Sequence, residues 1–411
     1  MISRVLSAEL AEHAGQRVKI AGWVHRRRQL KSVSFLVVRD RAGLAQAVTT
    51  SPDLPGEESV VEITGIATPS AQAPGGVEIT EPEITVLGAA ARPPFELFRP
   101  EVSAALPTVL DHAPLALRHP ALRLPPEISA ASVAGFRETL DRLAFTEIHT
   151  PKLVESATES GANVFSVDYF GRRAYLAQSP QFYKQMMVGV FERVYEVGPV
   201  FRAEPHDTAR HLAQYTSLDA ELGFVADHRD VMAVLREAVA GMVESVRRRV
   251  PQARDLLPEV PAEIPAVHFS DVSDEPDLSP ARERELSEWA RREHGSDFLF
   301  VTGYPMAKRP FYTHPDPARP GYSNGFDLLF RGLELVTGGQ RLHRHVDYLA
   351  ALAERGEAAE PYRGYLQAFE YGMPPHGGFA IGLERWTARL TGAANIRQAT
   401  LFPRDLHRLS P

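Results

Sequence analysis

Apolar and polar residues alternate along the first ninety positions of the chain. The stretches "RVKIAGWVHR" (17–26), "SVSFLVVRD" (32–40), "AQAVTT" (45–50), "SVVEITGIAT" (59–68) and "VEITEPEITVL" (77–87) are rich in Val, Ile and Thr, with Gly, Pro and Asp between them. Period-two alternation bounded by turn formers predicts strands. Five strands in so short a segment predict a small β-barrel of the oligonucleotide-binding type over residues 1–90. Residues 91–126 carry many prolines ("ARPPFELFRP", "LRLPP") and read as a linker or hinge. Beyond 127 the period changes. Helical spacing appears in 127–145, 179–191, 227–250 and 279–294, with Ser179 as the expected cap of the second. Strand patterns appear in 146–154, 193–204, 215–225 and 326–339. Strands outnumber strand–helix–strand units, so residues 127–411 predict an antiparallel sheet flanked by helices, and the chain is α+β.

Composition narrows the chemistry. With no cysteine, the chain has no disulfide, no thiolate metal site and no cysteine nucleophile. The opening "MISRVLSAEL" lacks the apolar core of a signal peptide, and no run of 18 apolar residues occurs. A cytoplasmic protein without a membrane span is expected. The net charge is −7, so any nucleic-acid contact must come from a local patch. Such a patch exists: eight basic residues and one acid lie between Arg17 and Arg41. Cations that track phosphates beside an aromatic such as Phe35 suit single-stranded nucleic acid.

No phosphate-binding glycine loop or dinucleotide fingerprint is present, so a nucleotide site must be built from discrete side chains. Four segments supply them. In "FRAEPHDTARHLAQYTSLDAE" (201–221), Arg202 and Glu204 share one strand face, and Tyr215, Asp219 and Glu221 share another; Arg210 and His211 lie in the loop between. "GGFAIGLERW" (377–386) brings Arg385 to a helix start beside glycines. "FDLLFRGLELVTGGQR" (326–341) places Asp327 and Glu334 on either side of a hairpin turn, facing each other. With Thr337 they form an oxygen-rich candidate for magnesium, and Arg341 follows. In "AQSPQFYKQ" (177–185), Gln181 and Lys184 are three apart on one helix face.

Together these segments resemble the class II aminoacyl-tRNA synthetases, and among them the compact archaeal-type branch of the aspartate enzymes. "LAFTEIHTP", "FRAE…RH…YTSLDAEL" and "GGFAIGLERW" resemble the three signature motifs of that class. "QSPQFYKQ" resembles a run of the aspartate enzymes, and "GWVHRRRQL" their anticodon barrel. The resemblance implies ATP-dependent attachment of L-aspartate to tRNA through an aspartyl-adenylate, with Mg²⁺. Arg202 would hold the α-phosphate, and Glu204 the adenine amino group. Tyr215 and Arg385 would sandwich the adenine, and Arg210, His211 and Arg385 would hold the outer phosphates. Asp327, Glu334 and Thr337 would bind magnesium. Asp219 would take the amino acid's ammonium; Lys184 and Arg341 would grip its side-chain carboxylate, with Gln181 in the same pocket. Glu159 would lie in a loop closing over it. Departures from the family pattern are Ala144 for glycine, Gln214 for glutamate, Tyr215 for phenylalanine, Thr337 for serine and Trp386 for leucine. The first motif implies a homodimer.

In the barrel, the resemblance gives Arg26, Arg27 and Arg28 to the RNA backbone, and Phe35 and Gln46 to the middle anticodon base. The aspartate and asparagine anticodons, GUC and GUU, differ only in the last base. Branch members that charge both tRNAs resemble this chain in having histidine at the position of His25 and proline or glycine near Pro82; members that reject tRNA(Asn) have tryptophan in place of His25. The expectation is therefore a non-discriminating enzyme for tRNA(Asp) and tRNA(Asn), linked to an amidotransferase that converts Asp-tRNA(Asn). The alternatives are an enzyme specific for tRNA(Asp), an asparaginyl-tRNA synthetase, an amide-forming ligase on the same fold, and an RNA-binding protein with an inactive catalytic domain.

Overall fold

The computed structural model describes residues 2–155, 164–205 and 207–410. The chain divides into two compact units, Met1–Leu122 and Arg123–Pro411. In the first, β1 (Arg17–Gln29), β2 (Ser34–Arg39), β3 (Leu44–Thr49), β4 (Val60–Pro69) and β5 (Val77–Gly88) close into a barrel in the order β1-β2-β3-β5-β4. The alternation explains the closure: Val18, Ile20, Val24, Leu36, Val38, Val61 and Ile63 all point into one core. Strand β1 departs from regular pairing once. Val24 pairs with Val38 and Arg26 with Val37, so His25 is the extra residue of a β-bulge.

Of the proline-rich segment, residues up to Leu122 cluster with this barrel unit. They form the short helices α1 (Leu106–Asp111) and α2 (Ala113–Ala116) and a small apolar cluster around Phe95, Leu97 and Ala116. Arg26 lies over the Phe98 ring at 4.8 Å, and Arg118 donates to Glu58 at 3.0 Å.

The second unit is built on an eight-stranded sheet. Its strands are β6 (Thr146–Glu147), β10 (Arg193–Phe201), β11 (Gln214–Gly223), β12 (Ala266–His268), β13 (Phe298–Thr302), β14 (Gly325–Phe330), β15 (Leu333–Gln340) and β16 (His376–Gly382). Their order is β12-β13-β14-β15-β16-β11-β10-β6. All pairs are antiparallel except the two edge pairs, β12 with β13 and β6 with β10. A three-stranded sheet is added by β7 (Leu153–Val154), β8 (Ser166–Tyr169) and β9 (Arg172–Leu176). The helices are α3 (Pro120–Arg142), α4 (Gln181–Phe191), α5 (His228–Arg249), α6 (Phe269–Val272), α7 (Pro280–His294), α8 (His345–Glu354), α9 (Arg363–Glu370) and α10 (Leu383–Thr391). Apolar residues of α3, α5 and α10 pack on one sheet face, where Phe136, Leu235, Phe330 and Trp386 are fully buried. Among the described residues no helix is long and apolar enough to cross a membrane.

Two departures from the family pattern meet the structure differently. Trp386 fills the core, stacked on Phe330 at 5.1 Å, and its indole N–H donates to Ser132 at 2.9 Å. Ala144 has φ +61°, the left-handed region in which glycine is the unstrained choice. Two local expectations are corrected. The strand expected over 146–154 is split into β6 at 146–147 and β7 at 153–154, which join different sheets; between them the buried carboxylate of Glu196 accepts the Thr150 N–H and hydroxyl at 3.0 and 2.7 Å in place of a neighbouring strand. The cap of α4 is Pro180, without a side-chain bond; Ser179 is buried and lines a cavity instead.

Candidate active site

Strands β11, β14, β15 and β16, with α4, α10 and the loop after β10, surround a cavity of about 280 Å³. Its wall includes Gln181, Lys184, Arg202, Glu204, Arg210, His211, Tyr215, Glu334, Thr337, Arg341 and Arg385. Four sequence segments, spread over two hundred residues, thus meet at one place.

At one end of the cavity is a buried ionic cluster. The first turn of α4 carries Lys184 inward, where its Nζ donates to Asp219 Oδ1 at 3.0 Å and the Phe379 carbonyl at 3.2 Å, and lies 3.3 Å from Glu221 Oε2. Arg341 donates through Nε to Glu221 Oε1 at 3.0 Å and through Nη2 to the Gly378 carbonyl at 3.0 Å. The glycine at 378 is required by space: a Cβ there would lie 2.0 Å from Glu221 Oε2. Burial works to raise the Glu221 carboxyl, but Arg341 and Lys184 outweigh it and hold Glu221 below the ordinary carboxylate range. Glu221 is therefore held as a carboxylate between Lys184 and Arg341. Asp219 is not part of the cavity wall: Lys184 and the Ser217 hydroxyl, at 2.5 Å, occupy its two oxygens. The buried Gln181 Nε2 has no hydrogen-bond partner among the described residues, and such a group in a cavity wall points to a ligand.

At the other end, Arg202 lies over the Tyr215 ring at 5.7 Å. His211 accepts or donates with Thr208 at 2.7 Å, and its Nε2 is 3.6 Å from Glu204. Arg385 Nη1 donates to the Glu334 carbonyl at 3.1 Å. The expectation that Asp327 and Glu334 face each other is corrected by the register: Asp327 pairs with Thr337, and Glu334 with Leu329. A bulge at Leu335 nevertheless turns Glu334 to the Thr337 face, and the Thr337 hydroxyl donates to Glu334 Oε1 at 3.1 Å. In a regular strand, residues three apart would face opposite ways. Burial raises Asp327 to about 6, opposed by Arg309 and assisted by the Glu334 charge.

Among the described residues no cluster of three or more His, Cys, Asp or Glu could hold a metal. Two carboxylates and a hydroxyl, with the buried Asp327 Oδ1 lacking a hydrogen-bond partner, fit a hard cation that takes its remaining oxygens from water or phosphates.

Comparison with known proteins identifies the family. Residues 106–406 match the family model of class II tRNA synthetases (D, K and N), and residues 18–87 match that of the OB-fold nucleic acid binding domain. The chain is a class II tRNA synthetase of this group. The synthetase is 47% identical to the aspartate–tRNA(Asp/Asn) ligase of Thermus thermophilus, over 99% of this chain and 100% of that one. It is 46% identical to the Deinococcus radiodurans protein of the same name, over 100% and 99%. Among solved structures it resembles asparaginyl-tRNA synthetase from Pyrococcus horikoshii complexed with asparaginyl-adenylate (TM-score 0.92, 31% identity, all of both chains). It also resembles the aspartyl-tRNA synthetase of Entamoeba histolytica (TM-score 0.88, 29% identity, 100% and 93% of the chains).

On the synthetase's barrel, the candidate RNA residues fall into rows. Arg28, Phe35 and Val48 pair across β1, β2 and β3, and Arg26, Val37, Gln46 and Glu78 across β1, β2, β3 and β5. Arg27 pairs with the inward Leu36 and so leaves the strand on the other side from Arg26 and Arg28. Gln46 donates to Glu78 at 3.0 Å, and Pro82 is half-buried in β5. Arg39 donates to His25 Nδ1 at 3.1 Å and pairs with both oxygens of the buried Glu58 at 3.0 and 2.9 Å. An arginine only donates, so His25 Nδ1 accepts and the ring proton sits on Nε2. Burial, then the Arg39 charge, keep this histidine below its ordinary pKa.

Glu159 lies outside the described residues. Glu221, Arg309, Glu283 and Glu384 join the site or its supports without a role legible in the sequence. Glu221 had a signal, its even spacing from Asp219, but its bridging of Lys184 and Arg341 is visible only in three dimensions. Burial raises Glu384 to about 7, where it accepts the Thr216 N–H with both oxygens at 3.0 Å.

Proposed function

We propose that this synthetase activates L-aspartate with ATP as aspartyl-adenylate and transfers it to both tRNA(Asp) and tRNA(Asn). The observation that carries the amino-acid part is the Lys184–Arg341 pair in the cavity wall. Lys184 and Arg341 both line the cavity, and their N–H groups only donate, so they suit a side-chain carboxylate, which only accepts, better than an amide, whose NH₂ would face a donor. The double tRNA range is supported by the names of the Thermus and Deinococcus relatives and by His25. A neutral Nε2–H offers a donor, and the carbonyl O2 that cytosine and uracil share can accept it; such a contact does not separate the two anticodons.

In this reading Arg202 neutralises the α-phosphate, Tyr215 and Arg385 hold the adenine, Glu204 accepts its amino group, and Arg210 and His211 meet the outer phosphates. The aspartate carboxylate attacks the α-phosphorus in line and pyrophosphate leaves, so positioning and charge neutralisation suffice without a protein nucleophile. Mg²⁺, held by Asp327, Glu334 and Thr337, would supply further neutralisation of the phosphates when bound. The terminal ribose hydroxyl of tRNA then displaces AMP from the mixed anhydride. Pairing of two copies through the α3–β6 segment is supported by the open edge that β6 leaves on the sheet. A cytoplasmic setting and an amidotransferase acting on Asp-tRNA(Asn) complete the reading.

The test has two parts. Pyrophosphate exchange should depend on aspartate and not on asparagine. Purified tRNA(Asp) and tRNA(Asn), charged side by side, should both accept aspartate; inertness of tRNA(Asn) alone would restrict the enzyme to tRNA(Asp).

A further inference from the structure

Helix α7 lies outside every signature segment, yet it sends one carboxylate to two residues of the cavity wall. Glu283 is 6% exposed. Its Oε2 accepts from Arg210 Nη2 at 3.1 Å and from the Glu334 backbone N–H at 3.0 Å. The Glu334 peptide is thus held from both sides, its N–H by Glu283 and its carbonyl by Arg385. Arg210 comes from the loop after β10 and Glu334 from β15, so a single buried oxygen of α7 joins both, and Arg385 ties α10 to the same Glu334 backbone. The Nε of Arg210 is buried without a hydrogen-bond partner among the described residues, so its guanidinium is held in place with donor capacity to spare. Burial raises the Glu283 carboxyl, and its two donors, with the Arg210 charge, work the other way.

We propose that Glu283 is a positioning residue for the triphosphate: it sets the cation for the outer phosphates and the carboxylate for the metal in one register. This rests on the ATP reading above. Glu283 itself touches no substrate; it acts through Arg210 and Glu334. Without it, Arg210 would lose its anchor and the Glu334 peptide one of its two supports, and ATP binding would have to order both.

The experiment uses the full chain with Glu283→Ala, Glu283→Gln, Arg210→Ala and the Glu283→Ala/Arg210→Ala double variant. Two readouts are taken: calorimetric binding of non-hydrolysable α,β-methylene ATP with magnesium, and KM values in aspartate-dependent pyrophosphate exchange. Loss of a charge-assisted anchor should weaken nucleotide binding about tenfold in Glu283→Ala and less in Glu283→Gln. The KM for aspartate should stay within about twofold, since the Lys184 cluster is untouched. The loss in the double variant should be smaller than the product of the two single losses, because part of the Glu283 effect runs through Arg210. Independent, additive losses would overturn the proposal, as would equal rises in both KM values. If Glu283→Ala does not fold, unchanged nucleotide affinity in Glu283→Gln would also overturn it. A parent protein that binds the nucleotide but shows no aspartate-dependent exchange would instead refute the function proposed above and leave the Glu283 comparison readable.

Discussion

Replacing Lys184 with methionine keeps the unbranched four-atom stem of the side chain and removes a cation that touches both Asp219 and Glu221. The three side chains are 1%, 1% and 0% exposed, so water cannot replace the lost contacts. Lys184 lies 3.0 Å from one carboxylate and 3.3 Å from the other, and Arg341 reaches only Glu221 among these two. The variant therefore holds two buried carboxylates against one cation, in the wall that is to receive a third carboxylate from the substrate. Removing one partner of a buried pair costs about 3–5 kcal/mol. If the folded protein bears that cost, its unfolding midpoint falls. If the amino-acid complex also bears it, kcat/KM for aspartate falls by about two to four powers of ten. The assay is aspartate-dependent pyrophosphate exchange at saturating ATP, at a temperature where circular dichroism shows the variant folded. Affinity for α,β-methylene ATP should stay within about threefold, because the nucleotide end of the cavity is built from other residues. Exchange within tenfold of the parent would refute the assignment of Lys184 to the substrate carboxylate.

Phe35→Ala on the outer barrel face should raise the KM for tRNA about 5- to 100-fold, the worth of one stacked base, and leave pyrophosphate exchange unchanged. Equal tRNA kinetics would remove Phe35 from the RNA surface. Glu384 links Tyr215 and Arg385 through the adjacent Thr216, and its pH behaviour has a definite sign. Its carboxyl is raised from 4.5 to about 7 in the fold, so the folded state holds the proton more tightly than the unfolded chain. This group's contribution to stability is complete below about pH 4.5 and is lost as pH rises through about 7, with a span on the order of 3 kcal/mol. Urea unfolding at pH 5 and pH 8 should show a smaller pH dependence in Glu384→Gln than in the parent; identical slopes would show that Glu384 is not the group responsible.

The sequence by itself determined the elements and the inventory of chemistry. Alternation in 17–88 located the five barrel strands to within a few residues, because a small closed barrel buries every second side chain and that burial is written in the period. The spacing of Arg202, Glu204, Tyr215 and Asp219 was legible for the same reason. Residue types also bounded the reaction: with no cysteine and no phosphate loop, a nucleotide site had to be assembled from separate side chains. Tertiary structure decided how those residues meet. The bulges at His25 and Leu335 are properties of paired strands, so no single-strand pattern shows that His25 leaves the regular ladder or that Glu334 turns to the face of Thr337. Glu221 became the counter-ion of two cations only when β11 was packed against α4 and brought, across β16, within reach of Arg341 just after β15. Glu283 reached Arg210 across 73 residues of chain. Local sequence encodes which face of a strand or helix is buried, since that depends on near neighbours. The partner of a buried charge depends on register and on which distant element is folded against it, and those are set only by the packing of the whole unit.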